Sequence, residues 1–264
     1  MTMVQVAELL AVHLWAALFA ITSLMLLLSA LLWHGLQRYG VWQTVHRLGA
    51  QVVLSLAVAV FAFLGFVEIA DEIGADEDLG QFDTALSTAL SSHANETQLQ
   101  MFATLTHLGD KRWLIPLAVV IAAILWWRRH RFLATAWVIA TASGGLLNTA
   151  LKAYFERARP EFLHGFATAD GWSFPSGHSS GACIVYGLLA YLLVILAPKR
   201  FHLLVAASAM LLIVCVGFSR VVLQVHYFSD VLGGFAFGAA WVAAWIAGLE
   251  AYRRRLGAGE PMKD

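Results

Sequence analysis

Charge is what this sequence has least of. Aspartate, glutamate, lysine and arginine make up 13% of its 264 residues, where a soluble domain carries about 25%. With 60% hydrophobic residues and a mean hydropathy of +0.72, the chain is that of a membrane protein. The 17 basic and 17 acidic side chains cancel. There is thus no general polyanion-binding surface, and no nucleic-acid partner is expected. Cysteine is almost missing as well. Cys183 and Cys215 lie in apolar runs without metal-ligand spacing, which excludes a disulfide framework and leaves them as packing residues. Internal repeats and low-complexity segments are also lacking. Nothing fixes an oligomeric state.

What the chain has instead is long apolar runs. A membrane span needs roughly 20 apolar residues. Seven stretches qualify: residues 9–33, 51–70, 113–127 (short unless Lys111 and Arg112 snorkel), 132–151, 179–197, 201–218 and 231–249. The first has no basic flank and is too long for a signal-peptide core, so it reads as a real span. The predicted fold class is all-α, a polytopic membrane helix bundle. The longest polar interval, 71–112, opens acidic. It then places Phe82, Ala85, Leu86, Ala89 and Leu90 on one helical face, with a second short helix expected near 97–108. These read as surface helices capping the bundle, a structural lid without chemistry.

Seven alternating spans sort the basic residues unequally. Arg38, Arg47, Arg128, Arg129, Arg131, Lys199, Arg200, Arg253, Arg254, Arg255 and Lys263 fall on one face. Lys111, Arg112, Lys152, Arg157, Arg159 and Arg220 fall on the other. The positive-inside rule then puts the N-terminus outside and the C-terminus in the cytoplasm.

Three polar clusters stand out against this background, and the topology places all of them on the outer side. Lys152 and Arg159 are seven residues apart, so a helix continuing through Tyr154 and Phe155 would bring both to one face before Pro160 stops it, with Arg157 pointing elsewhere. Pro175-Ser176-Gly177-His178 precedes an apolar helix. The free N–H groups and dipole of a helix start favour an anion there, Ser176 adds a hydroxyl, and His178 changes protonation near neutral pH. Ser219-Arg220 is followed by His226 and Asp230, at i and i+4, where the carboxylate would fix the imidazole tautomer and support its positive charge. Arg220 needs a bend or loop to rejoin them. Taken singly, the clusters also fit an interfacial basic patch, an ordinary helix cap and a buried Arg220–Asp230 ion pair. Together they are equipment for holding a phosphate and attacking it. The remaining histidines have no partners at motif spacing, although His107-Leu108-Gly109-Asp110 lies on the motif side of the membrane.

Lys, six residues, Arg-Pro; Pro-Ser-Gly-His; and Ser-Arg, five residues, His, three residues, Asp: in this order the pattern resembles the type 2 phosphatidic acid phosphatase family, the integral-membrane lipid phosphatases related to vanadium haloperoxidases. Residues 152–160, 175–178 and 219–230 match it without gap or substitution. The resemblance implies a six-helix phosphatase core plus one extra N-terminal span. Residues 1–45 would hold that span, 46–255 the membrane lipid phosphatase domain and 256–264 a cytoplasmic tail.

The resemblance further implies that His226 attacks phosphorus to form a phosphohistidine and that Asp230 orients it. His178 would protonate the leaving oxygen and then activate water. Lys152, Arg159, Arg220, Ser176 and Gly177 would bind the phosphoryl oxygens. Neither metal nor other cofactor is implied. The expected substrate is a membrane lipid phosphate or diphosphate presented from the bilayer (phosphatidate, phosphatidylglycerophosphate or undecaprenyl diphosphate), at a site facing the periplasm of a bacterial inner membrane. Two other readings use the same residues: a lipid phosphotransferase, and a non-catalytic lipid transporter or binding protein.

Overall fold

The computed structural model describes residues 3–13, 16, 18–20, 22–24, 27, 31, 34–35, 50–161, 165–167 and 170–255. Among them there are helices and turns and no strand. In chain order the helices are α1 (Met3–Val12), α2 (Ala50–Asp71), α3 (Asp78–His93), α4 (Glu96–Thr106), α5 (Lys111–Trp127), α6 (Arg131–Phe155), α7 (Gly177–Leu196), α8 (His202–Val222) and α9 (Phe228–Arg255). Single 3₁₀ turns at His107–Gly109 and Lys199–Phe201 lead into α5 and α8.

Among the described residues, five segments are long and apolar enough to cross a membrane: α2, α6, α7, α8 with its leading turn, and α9. They correspond to five of the seven expected spans. α5 has 17 residues, about 25 Å at 1.5 Å per residue, short of a hydrocarbon core of about 30 Å. Its ends are basic, with Lys111 and Arg112 in its first turn and Arg128 and Arg129 just after it. The expected first span, residues 9–33, lies partly outside the described residues, and Arg38, His46, Arg47 and the tail 256–264 lie wholly outside them.

Helix α9 is the central element. It packs along α2 and α7, while α7 also meets α8 and α6, and α5 pairs with α6. Glycine makes the α7–α9 contact close. A Cβ at Gly234 would lie 2.8 Å from the Ser176 carbonyl oxygen, and one at Gly238 2.6 Å from the Cys183 Cβ. The bundle core gathers Leu133, Trp137, Phe174, Ile184, Leu188 and Phe237. A second apolar cluster forms over the end of α8, where Phe82, Leu86 and Leu90 of α3 and Leu99 and Phe102 of α4 meet Val222 and Val225. Ala7 and Ala11 of α1 are buried in it, so the N-terminal helix sits on the side of the three motifs. The interval 71–112 therefore forms a two-helix roof. Asn95 caps α4 with a reciprocal bond pair to Gln98.

Candidate active site

α6 does not carry Arg159. It stops at Phe155, because Glu156 turns left-handed (φ 46°) and returns its N–H to the Lys152 carbonyl at 3.1 Å. The expectation that one helix face presents both cations is corrected here. Lys152 sits in the last helical turn, and Arg159 arrives from the irregular segment beyond it. Backbone carbonyls bring the two together. Lys152 Nζ donates to Trp172 O (2.6 Å) and Ser173 O (2.9 Å). Arg159 donates to Asp170 O (3.0 Å), Gly171 O (2.8 Å), Trp172 O (3.1 Å) and Val225 O (2.6 Å). Both cations thus grip the strip 170–173 that leads into the second motif.

Ser176 caps α7. It is fully buried, and its Oγ accepts from the Ser179 N–H at 3.4 Å and the Ser179 hydroxyl at 3.0 Å, which leaves its own proton to donate elsewhere. Its N–H donates to the Asp230 carbonyl at 2.9 Å, tying the second motif to the third. Gly177 opens the helix close to Asn148 and Lys152: a Cβ there would stand 3.3 Å from Asn148 Oδ1 and 3.8 Å from Lys152 Cε. His178 follows, within electrostatic reach of Arg220, His226, Arg159 and Lys152. Gly109 is packed against it, with a hypothetical Cβ 3.2 Å from His178 Cδ2, so the His107–Asp110 segment does border the site.

α8 ends at Val222, and a tight turn with Gln224 at φ 53° reverses the chain into α9. This is the bend that Arg220 requires. Arg220 is 2% exposed. It does not pair with Asp230: Nη1 donates to Thr106 Oγ1 of the roof at 2.7 Å, and Nε is left without a partner. His226 lies just before α9, with Nδ1 3.2 Å from Asp230 Oδ2 and Nε2 3.2 Å from Arg159 Nη1. A guanidinium can only donate, so Nε2 carries the lone pair and Nδ1 the proton. Burial pushes the His226 imidazole well below its ordinary value. Asp230 opposes that, and the Arg159 and Lys152 charges add to it.

Asp230 is fully buried. Oδ2 also accepts from the Tyr227 N–H (2.9 Å) and the Ser173 hydroxyl, while Oδ1 accepts from Arg157 Nη1 at 2.7 Å. Arg157 was expected to point away from the face of Lys152 and Arg159; its guanidinium goes to carboxylates, not to the strip 170–173 that those two hold. It bridges Asp230 to Asp83 on α3, 2.8 Å from Nη2. Burial lowers its basicity, but the two carboxylates more than offset this. The roof is therefore not a chemically idle lid, since it supplies partners to both Arg157 and Arg220. Asp83 had a legible signal. It shares the apolar face of α3 with Leu86 and Leu90, where a carboxylate without a partner is costly. Ser173 and Thr106 had none.

The family model of the PAP2 superfamily matches residues 132–254, which include all three motifs. Phosphatidylglycerophosphatase B of Bacillus subtilis is 37% identical over 158 residues, 59% of this chain and 77% of that protein. The chain belongs to the PAP2 superfamily. A lipid A 1-phosphatase of Rhizobium johnstonii, another relative, is 33% identical over 158 residues, 51% of this chain and 61% of that one. The crystal structure of a transmembrane PAP2-type phosphatidylglycerolphosphate phosphatase from Bacillus subtilis superposes with a TM-score of 0.68 at 32% identity, over 77% of this chain and 99% of that one. As a PAP2 protein with apolar spans it is an integral-membrane lipid phosphatase. Among the described residues, no three His, Cys, Asp or Glu side chains gather as a metal site would require.

Proposed function

We propose that this enzyme hydrolyses a phospholipid phosphomonoester, phosphatidylglycerophosphate foremost, with His226 as nucleophile. The observation that carries the reading is the orientation of His226: Nδ1–H donates to Asp230, and the Nε2 lone pair faces Arg159. Nε2 forms a bond to phosphorus as the P–O bond to the lipid breaks. His178, entering protonated, gives its proton to the departing oxygen. It then removes a proton from water, whose oxygen attacks phosphorus, breaks the N–P bond and releases phosphate. Lys152, Arg159 and Arg220, with the Gly177 amide and Ser176, hold the non-bridging oxygens. Phosphoryl transfer depends mainly on such positioning and charge stabilisation, so no metal is assigned to it.

The similarity to the Bacillus enzymes favours phosphatidylglycerophosphate over phosphatidate and undecaprenyl diphosphate. The basic residues at the far helix ends, Arg128, Arg129, Arg131 and Arg253–Arg255, support a site facing outward and a cytoplasmic C-terminus.

Phosphate release by the purified protein from these three lipids and from a soluble sugar phosphate tests the proposal. Hydrolysis of phosphatidylglycerophosphate is expected, and abolition in His226→Ala. Turnover of the sugar phosphate alone would sink the lipid assignment. Wild-type turnover by His226→Ala would sink the nucleophile.

A further inference from the structure

Asp83 takes no part in the steps above, yet it is among the most deeply buried charges in the protein, at 1% exposure. Its Oδ1 accepts from the Ser229 N–H at 3.0 Å, and its Oδ2 accepts from the Ser229 hydroxyl and, at 2.8 Å, from Arg157 Nη2. The other arm of Arg157, Nη1, donates to Ser229 Oγ and Asp230 Oδ1, both at 2.7 Å. The guanidinium carbon stands 4.5 Å from the centre of the Tyr227 ring. Arg157 is thus clamped between two carboxylates over an aromatic face, and one of those carboxylates holds His226.

Consider the charges. An arginine bonded to Asp230 alone would cancel the negative charge that His226 needs. When Nε2 gives its lone pair to phosphorus and Nδ1 keeps its proton, the ring becomes cationic. Asp83, Arg157 and Asp230 together carry one net negative charge, which matches that cation. Such matching counts for much more in a buried site than in water. We propose that Asp83 is a positioning residue for catalysis: it fixes Arg157 and neutralises it, so that Asp230 keeps both its orientation and its full charge for His226. This rests on His226 being the nucleophile.

The test uses the full-length protein in detergent micelles, with phosphate release from phosphatidylglycerophosphate. Asp83→Asn is expected to lower kcat about 10- to 100-fold, the order of loss seen when an outer-shell partner of a reactive site is removed. KM should barely move, because the interaction matters only once charge develops. The double variant Asp83→Asn/Arg157→Gln removes the uncompensated cation and should be faster than Asp83→Asn alone. A residue that merely fastened the roof would make the double variant as slow or slower, and that result overturns the inference, as does wild-type kcat in Asp83→Asn.

If Asp83→Asn does not fold, Arg157→Lys takes its place, keeping the charge but unable to span both carboxylates. The same kcat loss at unchanged KM is expected, and wild-type kcat overturns the inference. His226→Ala is assayed in parallel. Its activity would refute the nucleophile whatever Asp83 does, whereas an inactive His226→Ala beside an unrescued double variant removes the role of Asp83 alone.

Discussion

Arg159 and Asp230 hold the two ring nitrogens of His226 at equal distance: Nη1 of the arginine is 3.2 Å from Nε2, and Oδ2 of the aspartate is 3.2 Å from Nδ1. The arginine is itself fixed by carbonyls at four residues. A lysine offers its donors from one point and cannot span that frame. Arg159→Lys should therefore lower kcat by about 10²- to 10³-fold, the loss typical of one donor aimed at developing charge, and should also raise KM. Wild-type kcat in steady-state assays of Arg159→Lys would mean that positive charge alone is enough.

The pH dependence has a definite sign. As the proposed nucleophile, His226 would attack only when neutral, so kcat/KM on its limb is lost as pH falls through the imidazole pKa. Burial, with the Arg159 and Lys152 charges, outweighs Asp230 and holds that pKa below the ordinary value of about 6.5. The acid limb should thus lie below pH 6, with no loss assignable to His226 between about pH 6 and 8. A kcat/KM profile with a substrate whose phosphate ionisation is known separately measures this. Half-loss at an ordinary histidine pKa would show the ring to be solvated.

In the proposed mechanism His178 serves the leaving oxygen first and the water second, so its two duties separate by substrate. With a lipid alkoxide as leaving group, His178→Ala should lose about 10²- to 10⁴-fold in kcat, the usual weight of a general acid or base. With an aryl phosphate, whose leaving group needs no proton, the first step survives and the second does not. Acid-labile, base-stable label should then accumulate on His226. Rapid-quench trapping with labelled phosphate reads this directly, and the absence of label with an activated ester would take the second duty from His178.

The bundle was legible because its signal is local. Twenty apolar residues in a row need no partner to be recognised, and α2, α6, α7, α8 and α9 fall where the runs are. The three motifs were legible as fixed spacings of uncommon residue types. What escaped was set by backbone and by distance. The left-handed Glu156 ends α6 four residues after Lys152, and neither glycine nor proline stands there to announce it. Arg157 reached Asp83 across 74 residues and Asp230 across 73, and no periodicity encodes such a pairing. The roof looked idle because its apolar face explained its fold, while the one carboxylate on that face carried the information.

Gly109 turns the packing of the roof into a prediction. Its Cβ would lie 2.3 Å from Val216 Cγ1, 3.2 Å from His178 Cδ2 and 3.3 Å from His178 Cβ. Val216 is fully buried and β-branched, so it cannot rotate away. The turn cannot easily lift either, because the Leu108 carbonyl accepts the Tyr186 hydroxyl at 2.6 Å. Gly109→Ala should therefore press on His178. The overpacking is expected to cost about 1–3 kcal/mol of stability, and a misplaced acid should lower kcat by up to about 10²-fold. Gly145→Ala on α6 is the control. A Cβ there meets nothing within 4 Å, so activity should hold and the helix should gain about 0.5–1 kcal/mol. Thermal unfolding in detergent with kcat on the same samples separates the two effects. A destabilised Gly109→Ala with wild-type kcat would show that the turn supports the fold without setting the position of His178.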